Sequence, residues 1–238
     1  MRRLAFALTI CAACSGYAAA EQTRCESGGD PQIAIAACTR LIESGTLNNE
    51  ALAVALFNRA ANHQDKEDLP SALADYEKAA RIKPGFADAH YNRGIILDEM
   101  GELEKAIAEY TKAIDIERDY AFLTNRGTAH LGLQDFDRAI ADLTEAVDLR
   151  PTDSGSYFRR GNACADKGDV DAAVRDFTKA AALAPDEASR MAYTARLYHA
   201  QGLTTRAMDA YRAALARDDL DDAGRKMIEM YMNKLNQP

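Results

Sequence analysis

Residues 87–119 read ADAHYNRGIILDEMGELEKAIAEYTKAIDIERD, and the pattern they carry recurs along the chain. Asn92-Arg93-Gly94 returns as Asn58-Arg59-Ala60, 34 positions earlier, and as Asn125-Arg126-Gly127, 33 positions later; Arg160-Gly161 follows 34 positions beyond Arg126-Gly127. Ala106-x-x-x-Tyr110-x-x-Ala113 returns as Ala72-x-x-x-Tyr76-x-x-Ala79, Ala139-x-x-x-Leu143-x-x-Ala146, Ala173-x-x-x-Phe177-x-x-Ala180 and Ala207-x-x-x-Tyr211-x-x-Ala214. A fixed period of this length signals one supersecondary unit stacked on copies of itself, because a single unit cannot bury its own apolar face. Five repeats result: 53–86, 87–119, 120–153, 154–187 and 188–221.

Each repeat holds two amphipathic stretches of about 13 residues with apolar spacings of three and four, the signature of helices. Gly101-Glu102, Gly168-Asp169 and Gln201-Gly202 part the two, and so short a connection folds them antiparallel. Counted from the start of each repeat, position 8 is small (Ala60, Gly94, Gly127, Gly161, Ala195), position 20 is Ala and position 24 is large. Small residues let the two backbones approach, and position 24 fills the space between pairs. Pro84, Pro151 and Pro185 stop the second helix in three repeats. Residues 21–52 form an N-terminal cap in which Pro31 to Glu43 reads as a lone second helix, with Ala34, Cys38 and Leu41 at positions 20, 24 and 27; Ser44 to Glu50 then breaks the period. Ala223 to Leu235, apolar through Met227, Ile228, Tyr231 and Leu235, reads as a helix capping the last repeat within 222–238.

These residues resemble the tetratricopeptide repeat (TPR) family over about residues 53–221. The chain departs from the family in having no Trp at position 4, and in carrying Arg118 and Asp219 where two repeats would have Pro. The resemblance implies an all-α fold, a TPR α-solenoid of antiparallel helix pairs with an N-terminal half-repeat and a C-terminal capping helix. It implies a non-catalytic scaffold for protein–protein interaction, whose first helices line a concave groove with positions 2, 5, 6, 9, 12 and 13. Here those positions supply Phe57, Tyr91 and Phe158, then Asn58, Asn92 and Asn125, and then Ile95 and Asn162. Asparagine can pair both the N–H and the C=O of an extended peptide. Asp65, Asp98, Glu99 and Asp166 at the far rim favour a basic ligand. The alternative is that the asparagines cap local backbone and the aromatics are half-buried. The family's clamp for a C-terminal carboxylate is not matched, since Phe57 and Ala61 stand where its first repeat needs a cation and an Asn.

Position 7 carries Arg59, Arg93, Arg126 and Arg160, and position 23 carries Asp75, Glu109, Asp142 and Asp176; in the fifth repeat both charges vanish together, leaving Thr194 and Ala210. In an antiparallel pair turning near position 15 these two positions sit at the same height. The covariation predicts one Arg–carboxylate bridge inside each of four repeats, against the alternative of independent solvated charges. Beyond the leader the cysteines are Cys25, Cys38 and Cys164. The turn Gly28-Gly29-Asp30-Pro31 lets Cys25 fold back along the helix bearing Cys38, which predicts a Cys25–Cys38 disulfide; two unpaired thiols are the alternative. Cys164, at position 11, reads as a small buried apolar residue.

The chain has 238 residues, with 29 basic and 37 acidic side chains and a net charge of −8, a balance that argues against a nucleic-acid partner. Arg2 and Arg3, the apolar run Leu4 to Ala13 and the small residues Ala18-Ala19-Ala20 read as a signal peptide, 1–20, cleaved after Ala20. The expected destination is the periplasm, with secretion or a lipid anchor at Cys14 as alternatives. No later segment is apolar for 18 residues, so no transmembrane segment follows the leader. His63, His90, His130 and His199 fall in no ligand motif, and Asp218 to Gly224 fails as a calcium loop because Ala223 and Met230 stand where oxygen ligands belong. Asp221 or Asp222 as a helix N-cap is the better reading. No metal, cofactor or catalytic residue is expected. The expected partner is a protein or peptide, probed by the groove of an envelope scaffold. The competing reading is a regulatory subunit of an envelope enzyme, docked by its convex face or its C-terminal helix.

Overall fold

The local chemistry of the turns sets the architecture. The computed structural model describes residues 17–26, 29–218 and 220–235, with side chains from residue 20 onward; Cys11, Cys14 and the rest of 1–16 of the expected leader lie outside the described residues. Regular structure among the described residues is α-helical throughout. It comprises α1 (Tyr17–Glu26), α2 (Pro31–Glu43), α3 (Asn49–Asp65), α4 (Leu69–Ile82), α5 (Ala87–Glu99), α6 (Leu103–Ile116), α7 (Tyr120–Gly132), α8 (Phe136–Leu149), α9 (Ser154–Lys167), α10 (Val170–Leu183), α11 (Glu187–Ala200), α12 (Thr204–Leu215) and α13 (Asp222–Leu235). The chain divides into two compact bodies at Arg118 and Asp119. In the first, α3 pairs with α4 and α5 with α6; in the second, α7 pairs with α8, α9 with α10 and α11 with α12.

Every one of these five pairs turns at position 15 through a residue with positive φ: Glu67, Gly101, Gln134, Gly168 and Gly202, at 59° to 94°. Three are glycines, which reach this region without steric cost; Glu67 and Gln134 adopt it against their side chains. In three repeats the next residue is an aspartate that caps the second helix. Asp68 accepts from the Ser71 N–H, Asp135 from Arg138 and Asp169 from Ala172.

The interior follows the small–large rule. Tyr76, Tyr110, Leu143, Phe177 and Tyr211, all at position 24, are fully buried. A Cβ added to Gly94 would lie 2.5 Å from the Tyr110 ring, one on Gly161 2.8 Å from Phe177, and one on Gly127 2.9 Å from Leu143. Position 8 is therefore the socket into which position 24 fits.

The expected bridges form. Arg59 binds Asp75 with both arms at 2.6 and 2.9 Å, Arg126 binds Asp142 at 2.8 and 2.7 Å, and Arg160 binds Asp176 at 2.8 Å through each arm. Arg93 reaches Glu109 at 3.5 Å, a looser pair, because His90 and Lys112 take the carboxylate at 2.7 and 2.8 Å.

The N-terminal cap departs from expectation in two respects. Pro31–Glu43 is not alone: α1 packs along it, Cys25 and Cys38 form a disulfide between the two helices, and buried Glu21 accepts from Arg40 at 2.8 Å and Arg24 at 2.9 Å. In addition α3 begins at Asn49, one turn ahead of residue 53, because the Asn48 side chain caps the Ala51 N–H. At the other end Asp221 accepts from the Gly224 N–H at 2.7 Å and starts α13. Ile228 and Tyr231 are buried, and Tyr231 reaches past the last pair to Phe158 of α9, at 6.3 Å between rings.

Candidate functional site

The first helices, α3 and α5 in the first body and α7, α9 and α11 in the second, carry the candidate face. In the first, Phe57 is fully buried, 5.3 Å from the Tyr76 ring and 4.9 Å from Phe86. Asn92 is buried and its Nδ2 donates to the Tyr76 hydroxyl at 3.1 Å, tying α5 to the knob of the preceding repeat. Asn58, at the same position, is 3 % exposed, and neither of its amide atoms has a hydrogen-bond partner among the described residues. The element before it carries Cys38 at the knob position, in a disulfide, so there is no hydroxyl to meet. Tyr91 and Ile95, one turn apart on α5, are half-buried.

In the second body Phe158 is buried against Phe177, at 5.7 Å, and Tyr193, at 4.6 Å. Asn125 and Asn162 are half-buried, and the Asn162 Oδ1 accepts from Arg196 Nε at 2.9 Å. The expectation that Phe57, Asn58, Asn92 and Phe158 offer themselves to a ligand is thus corrected. The socket at position 8 draws the position-24 ring underneath position 5, so Phe57 and Phe158 there complete the core, while Tyr91 is half-buried. Asn92 turns toward the neighbouring pair, where the Tyr76 hydroxyl accepts from it. Tyr91, Ile95, Asn125 and Asn162 keep surface.

Sequence reading missed the most unusual part of this face. Extended to the fourth and fifth repeats, the same position rule yields Arg159 and Tyr193 at position 6 and Arg196 at position 9. These three gather with Asn162 and with Tyr231 of α13. The Arg196 guanidinium lies 4.4 Å from the Tyr231 ring centre and 5.2 Å from that of Phe177.

The titratable groups show structural duty more than chemistry. Burial would raise the Glu109 carboxyl, but hydrogen bonds from His90 and Lys112 and the charges of Arg93 and Lys112 hold it at about 2. Burial, aided by the charges of Asp176 and Asp169, pushes the Cys164 thiol up, away from the reactive thiolate. Burial likewise raises Asp98, against a hydrogen bond from Tyr110. Among the described residues no cluster of three or more His, Cys, Asp or Glu is placed to hold a metal ion, and no helix is long and apolar enough to cross a membrane.

Comparison with known proteins agrees with this geometry. Family models described as tetratricopeptide repeat match residues 87–120, 124–188 and 166–222, and one described as TPR repeat matches 64–101. No curated protein matches the sequence significantly. Among solved structures the chain is similar to PilW, a widely conserved type IV pilus biogenesis factor, at 18% identity over 90% of this chain and 99% of that one, with a TM-score of 0.70. It is similar to YrrB, a TPR protein with an unusual peptide-binding site, at 23% identity over 83% and 97%, TM-score 0.61. A third is MamA from Desulfovibrio magneticus RS-1, at 16% identity over 78% and 97%, TM-score 0.60. At these identities the likeness is one of fold.

Proposed function

The chain belongs to the tetratricopeptide repeat family, and on that premise we propose that it is a non-catalytic scaffold that holds a peptide or protein segment against the face of its first helices. The observation carrying this reading is the division of labour on that face. The core takes Phe57, Asn58, Asn92 and Phe158, while Tyr91 and Ile95 in the first body and Asn125 and Asn162 in the second keep surface. In each body, part-exposed apolar or amide groups on this face suit the side chains and backbone of a peptide. The fold neighbour YrrB has a peptide-binding site of its own, which supports the reading by analogy.

The scaffold works in the periplasm, in an envelope complex, after removal of residues 1–20. The Cys25–Cys38 disulfide supports export, because such bonds persist in oxidising compartments. Placing a photo-crosslinking amino acid at Ile95, Asn125 or, as the outward-facing control, exposed Leu149 tests the assignment in cells that make the protein. The expected result is one dominant adduct from Ile95 and Asn125 and none from Leu149. An adduct from Leu149 alone would replace the groove with the competing reading, a subunit docked by its other face.

A further inference from the structure

The second body contains a groove of about 710 Å³, walled by α7, α9, α11 and α13 and within the usual size of ligand sites. Tyr193 and the thioethers of Met227 and Met230 give it adaptable apolar surface. Arg159 and Lys234 stand on its lining, and Arg196 lies just beneath Tyr231. These three cations differ from the other arginines described above. Arg59, Arg126 and Arg160 each close on an aspartate, whereas among the described residues no carboxylate pairs with Arg159, Arg196 or Lys234.

Arg196 is the sharpest case, being only 6 % exposed. Its Nε donates to Asn162 Oδ1 and an Nη lies 2.9 Å from His199 Nδ1, while aromatic rings cover its flat faces. Burial, then the charge of Arg196 itself, holds His199 below its usual range against the pull of Asp166, and an imidazole brings Arg196 no counter-charge. A buried charge without a counter-charge is costly, and an anion brought close relieves that cost. Of the two carboxylates lining the groove, Asp221 is engaged by the Gly224 N–H, and Asp166 stands exposed. The lining balances two cations against two carboxylates, and Arg196 beneath it tips the site to positive on a chain of net charge −8.

We propose that this groove takes an acidic peptide segment, with a carboxylate between Arg159 and Lys234 and an adjoining apolar side chain on Tyr193, Met227 and Met230. The proposal rests on the scaffold reading and gives its ligand a sign, opposite to the basic ligand that the acidic rim residues suggest. It also makes α13 a wall of the site as well as a cap.

Two fluorescein-labelled decapeptides with the same leucine and phenylalanine positions, one with glutamates between them and one with lysines, would be titrated into the full chain by anisotropy at 50 mM salt. The glutamate peptide is expected to bind at least about tenfold more tightly, since each close opposite charge in a partly desolvated groove counts strongly. Arg159→Glu, and separately exposed Lys234→Glu, are expected to erase or invert that ratio, with circular dichroism showing that both variants keep their helices. Equal binding of the two peptides, preference for the lysine peptide, or a preference that survives both variants overturns the proposal and leaves the scaffold reading standing. Binding of neither peptide overturns the proposal and also the peptide-groove reading for this body.

Discussion

Arg93 and Arg126 occupy the same repeat position and face the same kind of partner, yet the structure gives them different work. Arg126 closes both arms on Asp142, which is mostly buried and depends on that contact. Glu109 has one more methylene than Asp142, and His90 and Lys112 satisfy it before Arg93 arrives. Truncating Arg126 to Gln strands a buried carboxylate, and is expected to cost about 2–3 kcal/mol. The Arg93→Gln variant is expected to cost below about 1 kcal/mol, the scale of an exposed pair. Urea midpoints of the two variants, read against the wild type, check the difference. Equal losses would mean that the bidentate geometry carries no weight.

At the scale of the element, α1 is the part of the fold held in place by covalent chemistry. It is ten residues long, of which six follow the expected cleavage at Ala20, far below the length at which an isolated helix is stable, and the Cys25–Cys38 disulfide joins it to α2. A cross-link between residues 13 apart contributes about 3 kcal/mol by chain entropy. Cys25→Ser with Cys38→Ser is expected to lose about that much by denaturant titration, and reductant should lower the wild type to the level of the variant while leaving the variant unmoved. The pairs α3 to α12 were legible in the sequence because a period repeats its evidence five times: Ala106, Tyr110 and Ala113 carry little alone and a great deal in phase. The bridges were legible for the same reason, through the joint loss at Thr194 and Ala210. Helix α1 was not, because Tyr17 to Ala20 reads as the end of a leader. The candidate face was only half legible. Whether a position-5 ring such as Phe57 faces ligand or core turns on a small rotation of one helix over its partner, which no spacing encodes. Arg196 was hidden because a lone arginine shows its lack of a carboxylate only when its neighbours in space are known.

Over the whole molecule, acidity is expected to act on the two bodies at different pH. Burial holds His130 below the usual 6.5 despite the pull of Asp142 and Asp135, and burial with the Arg196 charge does the same for His199. The unfolded chain takes up protons near 6.5 that the folded second body refuses, so stability declines as pH falls below that value. Glu109, in the first body, is held at about 2; its contribution is complete above its usual 4.5 and is lost as pH falls from there toward 2. Thermal melts by circular dichroism are expected to show one fall in melting temperature between about pH 7 and 5 and another below about 4.5. His130→Gln with His199→Gln should remove the first fall and keep the second, and a wild-type curve flat from pH 7 to 5 would contradict this account. The contacts within repeats also bear on how such a chain can change its length. Bridge and socket both close inside one repeat, as Arg126 with Asp142 and Gly127 with Leu143 do, so copying or excising a whole repeat by recombination leaves every remaining pair with its mate. The Arg196–Asn162 bond is different, because it spans neighbouring repeats, as Asn92–Tyr76 and Thr124–Ser156 also do. A repeat inserted at any of these junctions would part the bonded side chains, so a new copy costs least where no such bond crosses.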